Sequence, residues 1–223
     1  AVESRLASFS GTEASLLFTS GYALNAGIYS ALIGPGDVVF SDALNHASII
    51  DGLRLSKAER VILPHGDSSG VPVDAKMAVV EGLYSMDGDV LQLGSYMGDH
   101  WLAVDEAHAF GVLGPGGRGV AADQDVEPDF VVGTLGKAIG AYGAFVVGPP
   151  SLRELLISRG RSFIFTTGLP EGVVRQALAG LDLADAERRE RLSDRVDRLR
   201  GGLADLGIEA LGGHHIVPII LGN

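Results

Sequence analysis

The feature that most constrains this chain is the alternation of short apolar runs with longer segments of helical spacing. Seven runs have this character: Ser15–Phe18, Asp37–Phe40, Arg60–Leu63, Met77–Val80, Trp101–Val104, Phe130–Gly133 and Ala144–Val147. Each is free of charge inside and bounded by Gly, Pro, Asp or Ser, which marks strands. Tyr22–Leu32 and Ala47–Ser56 lie between them with helical spacing. Strands that are apolar on both faces need cover on both sides. The pattern therefore predicts an α/β fold, a mostly parallel sheet with helices on its two faces. After Pro149 the character changes. Leu152–Arg159 and Glu171–Leu206 read as charged helices, with a solvated face in the run Asp185–Arg191, and Ile216–Leu221 reads as a further strand. A boundary is expected near residues 170–185.

Composition removes several classes of function. The net charge of −11 disfavours a nucleic-acid or anionic-membrane partner, since both select basic patches. The absence of cysteine excludes disulfides, thiolate metal sites and cysteine nucleophiles, and suits a reducing cytoplasm. The longest apolar tract, Val131–Val147, carries Lys137 near its middle, and a lysine there costs a membrane span roughly 2.5–3.5 kcal/mol. That tract reads as buried strand, not as a span. No basic and apolar leader opens the chain, which also lacks an initiator methionine, so a trimmed or partial chain is expected.

In an open parallel sheet, function gathers beyond the carboxyl ends of the strands. Five polar groups follow strands here: Ser20-Gly21-Tyr22, Asn45-His46, Glu81 to Asp87, Asp105 to His108, and Thr134 to Lys137. They are expected to converge on one rim. Asp105 emerges at a buried strand tip, where an unpaired charge is costly, so it needs a cation or strong donors. It can also simply cap the turn at Ala107-His108. Lys137 stands alone among Gly133, Gly136, Gly140 and Gly143. Burial lowers the pKa of such an amine and fits it for Schiff-base chemistry, whereas an isolated lysine can instead snorkel to solvent. The glycines leave room for something flat, and Ser20-Gly21-Tyr22 opening a helix offers a phosphate seat. An amine, a carboxylate and a phosphate cradle together describe pyridoxal 5′-phosphate. No metal enters this description.

Four ordered segments carry a family resemblance: Asn45–Gly52, Glu81–Asp89, Asp105–Gly111 and Gly133–Lys137. They resemble the α-oxoamine synthases, fold-type I pyridoxal-phosphate enzymes that condense an amino acid with an acyl-CoA thioester and release CO₂. The segments Gly114–Gly119 and Arg161–Pro170 resemble most the biotin-pathway member, which implies L-alanine and a pimeloyl-type thioester. Siblings using glycine, serine or other acyl chains are the alternatives, and a catalytically silent subunit partner is a reading that Lys137 opposes.

The resemblance implies a role for each residue. Lys137 forms the Schiff base and takes the α-proton, and Asp105 keeps the pyridine nitrogen protonated. His46 stacks on the ring, while His108 and Ser85 bond the ring oxygen. Gly21, Tyr22 and Thr134 seat the phosphate. Thr166 or Thr167 reaches the phosphate of a neighbouring subunit, implying a homodimer with shared sites. The implied architecture is a cofactor-binding large domain over residues 1–175 and the start of a small α+β domain over 176–223. The family's glycine- and serine-rich segment before Ala1, and its carboxylate-gripping arginine beyond Asn223, have no counterpart in this chain. The connections His65–Lys76 and Val90–His100 are shorter than the expected helical crossovers, as if residues were omitted there.

Overall fold

A computed structural model describes residues 2–221. Its centre is one seven-stranded sheet in the order β1-β7-β6-β5-β4-β2-β3. The strands are β1 Ala14–Phe18, β2 Val38–Asp42, β3 Glu59–Leu63, β4 Met77–Glu81, β5 Trp101–Asp105, β6 Phe130–Thr134 and β7 Ala144–Gly148. The β2–β3, β2–β4, β4–β5 and β5–β6 pairs are parallel, whereas β7 runs antiparallel to both its neighbours, β1 and β6. All seven expected strands are present, mostly longer by a residue or two. The carboxyl ends of β1, β2, β4, β5 and β6 consequently share one rim.

The two-faced apolar pattern is used as expected. Met77 and Val79 of β4 face one cluster with Leu24, Ile28, Ile49 and Leu53. Ala78 and Val80, the alternate residues, face another with Leu83, Leu93, Tyr96 and Leu102. Helices α1 Val2–Ser10, α2 Gly21–Leu32, α3 Ala47–Ser56, α4 Val120–Asp123, α5 Pro150–Arg159, α6 Arg161–Ile164, α7 Glu171–Leu183 and α8 Ala186–Asp205 complete the chain. The first face is covered by α2, α3 and α5. A third cluster joins Val2 and Leu6 of α1, Ala177 and Leu181 of α7, and Phe145 and Val147 of β7.

The second face also carries helices, as expected: α1 and α7 pack on it beside β7, and α4 packs on it through Val120 and Ala121, while two long connections cover the rest. The connections 64–76 and 82–100 contain no α-helix, only a 3₁₀ turn at Leu93–Tyr96. They close because Leu91, Leu93 and Tyr96 themselves bury against the sheet. His65 clips this side together: one ring nitrogen lies 2.9 Å from Asp42 Oδ1, the other 2.6 Å from Asp89 Oδ2, and Tyr84 meets the ring edge-on.

Two expectations in the C-terminal part are corrected. The single helix over Glu171–Leu206 is two, because Ala184 leaves helical geometry and Asp185 caps a new start by accepting from the Arg188 amide at 2.9 Å. Ile216–Leu221 is not a strand. Pro218 lacks an amide donor, and the carbonyls of Ile216 and Pro218 are taken by Arg200 and the Leu211 amide, so no ladder forms. No helix among the described residues is long and apolar enough to cross a membrane.

Helices α2 and α3 approach closely enough that a Cβ on Gly52 would overlap the carbonyl of Asn25 and crowd Tyr29. Backbone cannot yield as a flexible side-chain tip does. Gly52→Ala is therefore expected to cost about 1–3 kcal/mol by overpacking, read as a lowered urea midpoint at unchanged slope.

Candidate active site

The rim is built around buried carboxylates on neighbouring strands. Asp105 ends β5 and stands in register with Glu81, the last residue of β4. Both are almost fully buried. Asp105 has the stronger support: Asn25 Nδ2 donates to Oδ2 at 3.1 Å and the Ala107 amide donates to Oδ1 at 2.9 Å. Burial pushes its pKa up, against these two donors and the charges of Lys137 and His46. Glu81 accepts the His46 backbone amide, and burial together with the charge of Asp105 pushes its pKa up to about 8. Two adjacent buried carboxyls cannot both ionise cheaply. Glu81 therefore holds the proton near neutrality, and the better-donated Asp105 is the anion.

Lys137 follows β6 on a tight turn. The Thr134 hydroxyl donates to Gly143 O at 3.1 Å and accepts from the Gly136 amide at 3.2 Å, which pins that turn from inside. Gly143 has φ 112°, and a Cβ there would press on the Phe18 carbonyl, so the turn requires glycine. Helix α7 braces the other side. Gln176 Nε2 donates to Gly140 O at 2.7 Å, and Gly180 lies so near the Ile139 carbonyl that a side chain would overlap it. Lys137 itself is exposed to a cleft. Partial burial of the amine pushes its pKa down, with Asp105 and Glu81 opposing.

Imidazoles complete the rim. His46 caps α3, its Nδ1 accepting from the Ser48 amide at 3.2 Å and lying 2.7 Å from Ser48 Oγ. His108, two residues beyond the Glu106 that follows β5, is pushed down to about 4 by burial and then by the charges of Lys137, His215 and His46. It is thus a neutral ring at physiological pH. His108, Lys137 and His215 line a largely apolar cavity of about 630 Å³, with Arg188 and Arg189 of α8 on its wall.

The remaining expected residues fall into three groups. Gly21 and Tyr22 open α2, where Ser20 Oγ caps the Ala23 amide at 3.1 Å, and no acceptor among the described residues takes their own amides. The Tyr22 hydroxyl is spent on Asp51, at 2.6 Å. Ser85 sits half-buried in the turn after β4. Thr166 and Thr167 do not line the cavity of Lys137. They line a separate cavity of about 390 Å³ beside Phe18 and Phe163. Reading the sequence missed Asn25, Ser48 and His215 and gave Glu81 no role of its own. Glu81 had a signal, since it ends its strand as Asp105 does; Asn25 looks like any polar residue of a helix.

The donor set suits pyridoxal 5′-phosphate: an amine of lowered pKa, a sheltered anion beyond the neighbouring strand, and two free amides at a helix start. The fold and this rim define an α/β scaffold of the aminotransferase kind. The chain belongs to the aminotransferase class I and II family, whose model matches residues 1–223.

Among curated proteins it is similar to the 8-amino-7-oxononanoate synthase of Geobacter sulfurreducens, 45% identical across 100% of this chain and 62% of the relative. The enzyme of that name from Anaeromyxobacter dehalogenans is 46% identical across 100% and 60%. The chain thus spans about three fifths of the length of the curated relatives it matches. The alignment to the Geobacter protein runs over 243 positions against 223 residues, so that relative carries positions with no counterpart here. Among solved structures, serine palmitoyltransferase from S. paucimobilis superposes with a TM-score of 0.92 at 35% identity, covering 100% of this chain and 63% of the other. The 8-amino-7-oxononanoate synthase of Francisella tularensis gives 0.88 at 32%, covering 100% and 70%.

The raised Glu81 has a measurable consequence. Between its unfolded pKa of 4.5 and its folded value near 8, the native state binds more protons than the unfolded one, so stability falls as pH rises. Glu81→Gln is expected to gain melting temperature over the parent at pH 9 compared with pH 5. A difference between the two proteins that ignores pH would refute the assignment.

Proposed function

We propose that this chain forms the cofactor-holding part of a pyridoxal 5′-phosphate-dependent acyltransferase of the α-oxoamine synthase type. It joins an amino acid to an acyl-CoA thioester with loss of CO₂ and of the CoA thiol, giving an aminoketone. L-alanine and a pimeloyl-type thioester are the substrates this reading favours, as in biotin formation. The support is the name shared by the curated relatives at about 45% identity. The observation that carries it is the approach of Lys137, in the turn after β6, to the buried Asp105 at the end of the adjacent β5, near enough for its charge to act on the amine.

Bound pyridoxal phosphate supplies an electron sink for the carbanion that forms at the amino-acid α-carbon. The protein's own groups do the rest. Lys137, its pKa lowered by burial, would hold the cofactor's carbonyl carbon through its amine and, once released, would take the α-proton. Asp105 keeps a proton on the pyridine nitrogen through charge, its carboxylate held in place by Asn25 and the Ala107 amide. His46 covers the ring face. His108, neutral at working pH, and Ser85 donate to the ring oxygen. The free amides of Gly21 and Tyr22 take the phosphate, and Thr134 supports that end while pinning the lysine turn.

Residues 1–175 are the large cofactor domain in this reading and 176–223 open the small one, with α7 straddling the division. Thr166 and Thr167, which line a cavity other than that of Lys137, serve the phosphate of a second copy in a homodimer, and the protein works in the cytoplasm. A serine palmitoyltransferase-like activity is the second reading, favoured by the 0.92 superposition.

The intact protein with added pyridoxal phosphate should develop a visible absorbance band that borohydride fixes irreversibly, and Lys137→Ala should abolish it. No band with the intact protein would sink the reading. CoA release with alanine and pimeloyl-CoA, and little with serine and palmitoyl-CoA, is expected; the reverse preference selects the second reading.

A further inference from the structure

The two groups that this reading places on the ring, Asp105 and His46, are joined beneath it by side chains that no sequence motif assigned a role. Asn25 is buried inside α2, and its amide nitrogen carries two protons. One points to Asp105 Oδ2 at 3.1 Å and the other to Ser48 Oγ at 3.0 Å. Ser48 Oγ, having accepted there, has its own proton free for His46 Nδ1, 2.7 Å away, which also accepts the Ser48 amide. The series thus runs in one direction, from Asn25 outward to the carboxylate and, through the serine, to the imidazole.

Its polarity is not arbitrary. Turning the Asn25 amide over would set its oxygen against the Asp105 carboxylate, so the amide must face as it does. The consequence is a buried Asn25 Oδ1 with no donor. A group buried only to fill space would not retain that cost when an apolar residue of similar size avoids it.

We propose that Asn25 and Ser48 are positioning residues that lock Asp105 and His46 in one register and hold His46 as the tautomer protonated at Nε2. The inference rests on the pyridoxal-phosphate reading of the rim. By it, the group on the ring nitrogen and the group over the ring face cannot shift independently. His46 presents an N–H, not a lone pair, from its outer nitrogen, because the single lone pair of its inner nitrogen faces the amide and hydroxyl of Ser48.

The tautomer is read directly by ¹⁵N NMR of imidazole-labelled intact protein without cofactor at pH 8, with His46 assigned through His46→Gln. The parent should show a bare Nδ1 and a protonated Nε2. Ser48→Ala and Asn25→Leu should lower the Nε2–H to Nδ1–H ratio by roughly 2- to 10-fold, the weight of one neutral hydrogen bond. With cofactor and substrates, both should lose kcat more than KM changes. A parent protonated at Nδ1 overturns the proposal even if neither variant folds, as does a ratio that Ser48→Ala leaves unmoved. If the parent binds cofactor at Lys137 but Ser48→Ala leaves the His46 tautomer ratio unchanged, the positioning role alone fails. If it holds none, the functional reading fails and the positioning role with it.

Discussion

Much of this structure depends on keeping one carboxylate ionised where water does not reach it. Asp105 lies at the end of a strand buried on both faces, beside a second buried carboxyl in the next strand. A lone charge in that setting would neutralise itself or unfold its surroundings. Asn25 and the Ala107 amide supply direct donors, Lys137 supplies positive charge, and Glu81 takes the proton that would otherwise compete. Each condition ties a different element to the rim: α2 through Asn25, the turn after β5 through Ala107, β6 through Lys137, and α3 through the His46 amide on Glu81. The close approach of α2 and α3 at Gly52 sets Asn25 within hydrogen-bond reach of Ser48.

The lysine is governed by the same balance seen from the other side. Desolvation lowers the pKa of the amine, Asp105 and Glu81 raise it, and the net shift is downward. The turn that carries Lys137 is held by backbone and hydroxyl bonds within residues 134–143 and by α7 packed behind it. The amine therefore meets the cleft from a braced support. His108 contributes a neutral donor because burial and three nearby cationic or imidazole groups keep it unprotonated.

The sheet was legible because its strands are buried on both faces, and uninterrupted apolar runs such as Met77–Val80 have few other uses. Their carboxyl-end residues could be gathered without coordinates, which is how Asp105, His108, Thr134 and Lys137 came together. The C-terminal part was less legible. Charged helical spacing continues through Asp185, and the break there depends on a single side chain capping the Arg188 amide. Ile216–Leu221 has the composition of a strand, but a strand needs a partner, and its carbonyls are taken by Arg200 and Leu211. Asn25, Ser48 and His215 were invisible for a related reason. Each takes its place from a residue distant in the chain, 80 residues away for Asn25 and Asp105 and 23 for Ser48 and Asn25.

By itself, then, the sequence determined the α/β class, the strand set, the rim on which the chemistry gathers and the types of group that arrive there. These follow from local apolar period and from residues adjacent to strand ends, both properties of short stretches. Tertiary structure alone decided that β7 runs backwards, that α7 braces the lysine turn and that two connections cover their share of one face with loop side chains. It also decided which of two buried carboxyls keeps its proton. Those outcomes turn on distances of about 3 Å between residues far apart in the chain, where burial, donors and charge compete, and no local pattern encodes their balance.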